Sequence, residues 1–185
     1  MPRPPLARER VLDAFETLLI DDGERAATLD ATAKAAGVSK GGLLYHFASK
    51  DDLVAGLLDR LEVAAREDLD RMATAPGGAV AYFLRTSIME DTALDRVLVA
   101  ASRIAQGGAA AASDALRRVR ESWAEALRPH VRDQTALDLV MLVSDGLYYN
   151  NALDTAGAEG SGLAGPVPRG AELEKLIALV QRAVS

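Results

Sequence analysis

The chain has no cysteine among its 185 residues. That excludes a disulfide framework, a thiolate zinc site and thiol catalysis. Aromatic residues make up only 4% of it, and Ala and Leu carry most of the apolar content. Strands want branched and aromatic side chains, so a β-sandwich is disfavoured and helices are favoured. No run of about 18 apolar residues is present, and Met1–Leu6 does not read as a secretory signal. A soluble cytoplasmic protein with no membrane partner is the expectation. There is no metal-ligand spacing around His46 and His130, no phosphate loop and no Gly-x-Ser-x-Gly elbow. Carboxylates are plentiful, but no pair is singled out. These absences argue against an enzyme, a metal site and a cofactor.

Apolar residues account for 49% of the chain, enough for one compact domain or two small ones sharing a core. The net charge of −6 looks wrong for a nucleic-acid partner, but it is unevenly placed. Residues 1–50 hold seven Lys/Arg and seven Asp/Glu, whereas the remaining 135 residues hold 14 basic and 20 acidic side chains. Local charge, not the total, governs contact with phosphates.

Helical periodicity runs through the chain. Val11, Leu12, Phe15, Leu18 and Leu19 define a first helix over Leu6–Ile20, stopped by Asp21-Asp22-Gly23. Thr28 fits the N-cap of a short helix ending near Ala35. Ser39 fits the N-cap of another ending near His46-Phe47. Ser49-Lys50-Asp51-Asp52 opens a long helix to about Met72, with two acids where the helix dipole favours them. After the break at Thr74–Gly78, helices are expected over Ala79–Met89, Thr92–Gln106, Ser113–Leu127, Thr135–Leu153 and Ala171–Val184. Gly107–Ala112 reads as a flexible connection or a frayed end. Gly157–Gly170, with five Gly and two Pro, reads as a loop.

The informative segment is Thr28–Phe47. A helix-turn-helix needs a small residue where two helices approach, a glycine at the turn and apolar inner faces. Ala33 lies four positions before Gly37, and Leu29, Ala36, Val38 and Leu43 supply the inner faces. Ser39 would cap the second helix and leave its first residues facing a major groove.

Over roughly Arg8 to Leu61 the chain resembles the TetR family of transcriptional regulators. The most specific run is Gly37-Val38-Ser39-Lys40-Gly41-Gly42-Leu43-Leu44-Tyr45-His46-Phe47, followed by Ser49-Lys50-Asp51-Asp52-Leu53. Thr32 departs from the pattern, standing where the family usually has Ile or Val. The resemblance implies an all-α fold, with a three-helix DNA-binding domain over 1–50, linked by the helix over 49–72. A helical effector-binding and dimerisation domain would follow over 51–185. It implies a recognition helix over Lys40–His46. Thr28, Ser39, Tyr45, His46 and Lys50 match phosphate-holding positions, and Lys40, Gly41, Gly42 and Leu44 match positions near base edges. It further implies double-stranded operator DNA as partner and repression relieved by a small, largely apolar effector. A homodimer would form through 135–153 and 171–184. There Leu173, Leu176, Ile177, Leu179 and Val180 form an apolar stripe in need of a cover.

The effector site is read more loosely. Tyr82, Phe83, Met89, Leu98, Met141 and Asp145 are candidates to join Trp123, the only tryptophan, around a cavity, with Tyr148 and Tyr149 nearby in sequence. Each has a plainer alternative: Trp123 as core, the methionines as packing, Asp145 as a paired structural acid. His46 as an indifferent surface histidine and Lys50 as merely solvated stand beside their DNA-binding roles. A protein-interaction bundle is the rival from another class, and it leaves the Ser39–Lys50 run without a purpose.

Overall fold

The computed structural model describes residues 4–155 and 165–185 of the chain. Among them are nine α-helices, one short 3₁₀ turn and no strand. The helices are α1 (Pro4–Asp21), α2 (Leu29–Ala35), α3 (Lys40–His46), α4 (Lys50–Ala73), α5 (Ala79–Thr86), α6 (Ala93–Gln106), α7 (Ala110–Leu127), α8 (Gln134–Thr155) and α9 (Gly170–Val184). The all-α class expected from composition is the class observed. The expected loop over 157–170 lies largely outside the described residues.

Local chemistry explains where the helices begin and end. Thr28 accepts the Ala31 N–H at 3.2 Å to start α2, and Ser39 accepts the Gly42 N–H at 3.0 Å to start α3. Ser49 and Asp52 cap each other at the start of α4: the Ser49 N–H donates to the carboxylate at 2.9 Å and the Asp52 N–H donates to the hydroxyl at 3.1 Å. Thr92 and Asp95 form the same reciprocal box on α6. α5 stops at Thr86, short of the Met89 expected from periodicity. The Thr86 and Ser87 hydroxyls both donate to the Phe83 carbonyl, at 3.2 and 2.7 Å, an acceptor that a further turn would have used. α7 starts at Ala110, earlier than Ser113, because the alanines after Gly108 are strong helix formers.

The chain divides into two compact units. The first comprises residues up to Ala65 together with Asp91–Val119; the second comprises Arg66–Glu90 with Arg120–Ser185. α4 and α7 contribute residues to both. In the first unit, Val11, Leu12, Phe15 and Leu19 of α1 are buried with Leu43 of α3, Phe47, and Leu53, Leu57 and Leu61 of α4. α6 adds Val97, Ala100, Ala101 and Ile104 to the buried set. Each such large side chain contributes roughly 1.5–3 kcal/mol on burial. Gly56 lets α4 run close to its neighbours: a Cβ there would stand 3.0 Å from Phe47 Cε1 and 3.2 Å from Leu12 Cδ2. In the second unit, Met72, Val80, Phe83 and Leu84 pack with Leu137, Val140 and Leu147 of α8 and Ile177 and Val180 of α9.

Candidate nucleic-acid interface

The turn between α2 and α3 is made by Gly37, whose φ of +65° is the left-handed conformation that favours glycine. The Val38 N–H donates to the Ala33 carbonyl at 3.0 Å, which fixes the angle between the helices, and Ala33 is buried at the crossing. On α3 the only buried side chain is Leu43. It anchors the helix and leaves the rest of the surface outward. Leu44 is exposed, and Tyr45 is 84% exposed. A large aromatic so exposed at the end of a seven-residue helix adds little to the core of its own chain. Tyr45 meets the His46 ring edge-on, with centroids 5.1 Å apart. Phe47 turns inward, and Arg8 lies over its ring at 5.2 Å.

The two α3 glycines differ. A Cβ on Gly42 would stand 3.2 Å from the Ser39 Oγ that caps the helix, so the fold itself has a use for the glycine. A Cβ on Gly41 would meet nothing within 4 Å. Glycine there costs about 1 kcal/mol of helix propensity against Ala, with no return inside the chain.

Lys40 and Lys50 are both paired. Lys40 Nζ lies 3.0 Å from Asp30 Oδ1 on α2. Lys50 Nζ lies 2.5 Å from Glu24 Oε1 and donates to the Glu24 carbonyl at 2.9 Å, tying the start of α4 to the turn after α1. Lys50 is therefore more than a solvated charge. Two of its three N–H donors are used at home. Thr28, Ser39, Lys40, Gly41, Gly42, Leu44, Tyr45, His46 and Lys50 all belong to the first unit, on the α2 cap, on α3 and its cap, and at the start of α4.

The residues named for an effector are more scattered. Tyr82, Phe83 and Trp123 come together in the second unit around a residue that the sequence reading passed over, Asp68. The Tyr82 hydroxyl donates to Asp68 Oδ1 at 2.8 Å and the Trp123 indole N–H donates to Oδ2 at 3.0 Å. Phe83 and Trp123 rings lie 5.8 Å apart, centroid to centroid. Asp68 is 4% exposed. Burial, and then the bond to Asp68, hold the Tyr82 phenol above its usual pKa, although Arg71 donates to the same oxygen at 3.3 Å. Met141 is buried in the same core, Met89 and Tyr148 are half-buried, and Tyr149 is exposed on α8. Asp145 is exposed and paired with Arg120 at 2.5 Å. Leu98 belongs to the other unit. The signal for Asp68 was present in the sequence: Leu61, Ala65, Asp68 and Met72 keep one helical stripe, with an acid where an apolar residue is due.

Residues 11–57 match the family model described as "Bacterial regulatory proteins, tetR family". The match spans α1 to α3 and the start of α4. No curated protein sequence matches the chain. Among solved structures, the chain is similar to GusR of Salmonella enterica, at 17% identity and a TM-score of 0.66, covering 100% of this chain and 98% of that one. It is similar to the multidrug binding protein EbrR, solved with imidazole, at 21% identity and a TM-score of 0.57, over 96% and 94% of the two chains. The ketosteroid regulator KstR2 of Mycobacterium tuberculosis gives 20% identity and a TM-score of 0.53, again over 96% and 94%. Residues 11–57 thus carry the helix-turn-helix of bacterial regulatory proteins of the tetR family, and the described chain shares the fold of these solved regulators.

Proposed function

We propose that the protein is a homodimeric repressor whose α3 enters the major groove of an operator and which a small, largely apolar effector releases. Residues 1–50 would carry DNA contact, and residues 51–185 effector binding and dimerisation. The observation that carries the DNA-contact assignment is the outward face of α3: one buried anchor, Leu43, and Tyr45 left 84% exposed beside two glycines. Thr28, Ser39, Tyr45, His46 and Lys50 would hold phosphates, and Lys40, Gly41, Gly42 and Leu44 would lie near base edges. Gly41 supports this, because its missing side chain has no purpose within the protein.

Dimerisation is supported by apolar side chains left uncovered in the second unit. On α8, Leu142 is 66% exposed, with Leu139 and Tyr149 also exposed; on α9, Leu179 is 56% exposed. Leu142, Gly146 and Leu176 line a shallow groove. A second copy would cover these groups and set two recognition helices one DNA turn apart. Tyr82, Phe83, Met89, Leu98, Trp123, Met141, Asp145, Tyr148 and Tyr149 remain the effector candidates, and the trio at Asp68 is their best-gathered part. EbrR is described as binding multiple drugs and KstR2 as a ketosteroid regulator, which supports a small-molecule role here. An effector acts through its differential affinity for DNA-competent and DNA-incompetent states, carried along α4.

The test uses the duplex that the wild-type protein enriches most from a random-sequence library. Tyr45→Ala and Lys40→Ala are expected to lose about tenfold or more in affinity for it. Gly41→Ala is expected to separate the two roles of that position: about 1 kcal/mol more stable when free, yet weaker on DNA. Unchanged DNA affinity in all three variants would refute the assignment of α3.

A further inference from the structure

Lys40 opens the recognition helix, and Asp30 stands in the first turn of α2, ten residues earlier. Their charged ends meet across the turn, with Nζ 3.0 Å from Oδ1 and 3.3 Å from Oδ2. Both side chains are more than half exposed, on the elements that carry the Thr28 and Ser39 caps. An exposed ion pair contributes little to stability, so the consequences of this one lie in recognition.

A lysine that meets a phosphate releases a counterion and adds to attraction that ignores sequence. Asp30 removes that benefit. It supplies a compensating charge in advance and repels the phosphate that approaches. A base edge is different, because there an acceptor is useful. Guanine offers O6 and N7 to a lysine donor, and cytosine offers an N4 amino group to a carboxylate. A donor and an acceptor 3.0 Å apart match an edge that presents an acceptor beside an amino group.

We propose that Asp30 is a specificity-determining residue for DNA recognition, acting through Lys40: it suppresses sequence-blind phosphate capture by the lysine and turns the pair into a reader of one base pair per half-site. This inference rests on α3 being the DNA-reading helix.

The experiment compares wild type with Asp30→Asn, which keeps size and an acceptor but loses the charge. Two fluorescent duplexes are used: the sequence most enriched by wild type from a random library, and a scramble of equal composition. Each is titrated at several salt concentrations. With Asp30→Asn the scramble is expected to bind about threefold to tenfold tighter, and its log K against log salt to steepen by about 0.9. The ratio of enriched to scrambled affinity is expected to fall by about tenfold. In a Lys40→Gln background, Asp30→Asn is expected to change neither the salt slope nor the affinity ratio, since both effects run through the lysine.

Unchanged slope and ratio in Asp30→Asn, with only a shifted melting temperature, would reduce Asp30 to a helix-start acid and overturn the proposal. An equal effect with Lys40 replaced would overturn the pairing. If wild type enriches no sequence at all, the DNA-reading assignment of α3 fails first and this inference with it.

Discussion

Each unit ties three of its helices together through one buried carboxylate, Glu16 in the first and Asp68 in the second, and the two are satisfied in opposite ways. In the first unit Glu16, its side chain 8% exposed, is answered by charge: Arg96 Nε lies 2.9 Å and Arg60 Nη1 3.3 Å away. Those guanidiniums are held in turn, Arg60 by Glu9 at 2.7 Å and Asp13 at 2.8 Å, Arg96 by the Thr17 hydroxyl at 3.1 Å. In the second unit Asp68 is answered by the neutral donors of Tyr82 and Trp123, with Arg71 one hydroxyl further out. An ion cluster ties α1, α4 and α6 with strong but mutually dependent bonds. Two aromatic donors tie α4 to α5 and α7 with weaker bonds that a different acceptor can replace. The first arrangement resists exchange, and the second permits it. That difference suits a unit proposed to hold a fixed DNA-reading face and a unit proposed to admit a ligand.

The comparison breaks most visibly at Glu16. Glu16→Ala strands two arginines that point into a largely buried site. Removing one partner of a fully buried pair costs about 3–5 kcal/mol. Here Glu9, Asp13 and Asp91 stay on the arginines, which are themselves about a quarter to a third exposed, so about 2 kcal/mol is expected. Urea denaturation followed by circular dichroism measures it. A loss under about 0.5 kcal/mol would mean that the cluster is solvated and that the two units do not differ in this respect.

Asp68→Asn is expected to cost less, about 1 kcal/mol. The amide keeps one oxygen for the Trp123 N–H, and its NH₂ can donate to the Tyr82 oxygen, which accepts as readily as it donates. The sharper readout is optical, because Trp123 is the sole tryptophan. Wild type and variant are titrated with a panel of cationic dyes, flavonoids, fatty acids and acyl-CoA compounds while indole fluorescence is followed. Saturable quenching in wild type, weakened in Asp68→Asn, is the expected result. Quenching of equal strength in both proteins would make Asp68 a structural tie alone. Destabilisation as large as that of Glu16→Ala would erase the contrast between the units.

What could be read from the sequence follows the range over which each feature is determined. Gly37, the caps Thr28, Ser39 and Ser49, and the stripe of α1 depend on residues a few positions apart, and each was legible. The end of α5 was not, because periodicity continues past Thr86 while two hydroxyls converge on the Phe83 carbonyl. Glu16 and Asp68 were visible as acids inside apolar stripes, but their partners were not. Arg96 lies 80 residues from Glu16, and Trp123 lies 55 residues from Asp68. Pairings at that separation are set by how the helices pack, which no local pattern encodes. The gathering of Tyr82, Phe83 and Trp123, and the placing of Leu98 in the other unit, were hidden for the same reason.

Thr32 gives the smallest effect and the finest test of the contrast between units. It is another buried polar side chain, fully enclosed on α2, and its hydroxyl has no hydrogen-bond partner among the described residues. Glu16 is answered by charge and Asp68 by neutral donors, whereas Thr32 is not answered at all. Valine has nearly the same shape and nearly the same helix propensity, and it removes the need to desolvate a hydroxyl. Replacing an unpaired buried polar group by an apolar one of equal size is neutral to stabilising. Thr32→Val is therefore expected to gain about 0.5 kcal/mol, read as a higher urea midpoint at unchanged slope, with the salt dependence of DNA binding unaltered. A loss of stability instead would mean that a buried water satisfies the hydroxyl.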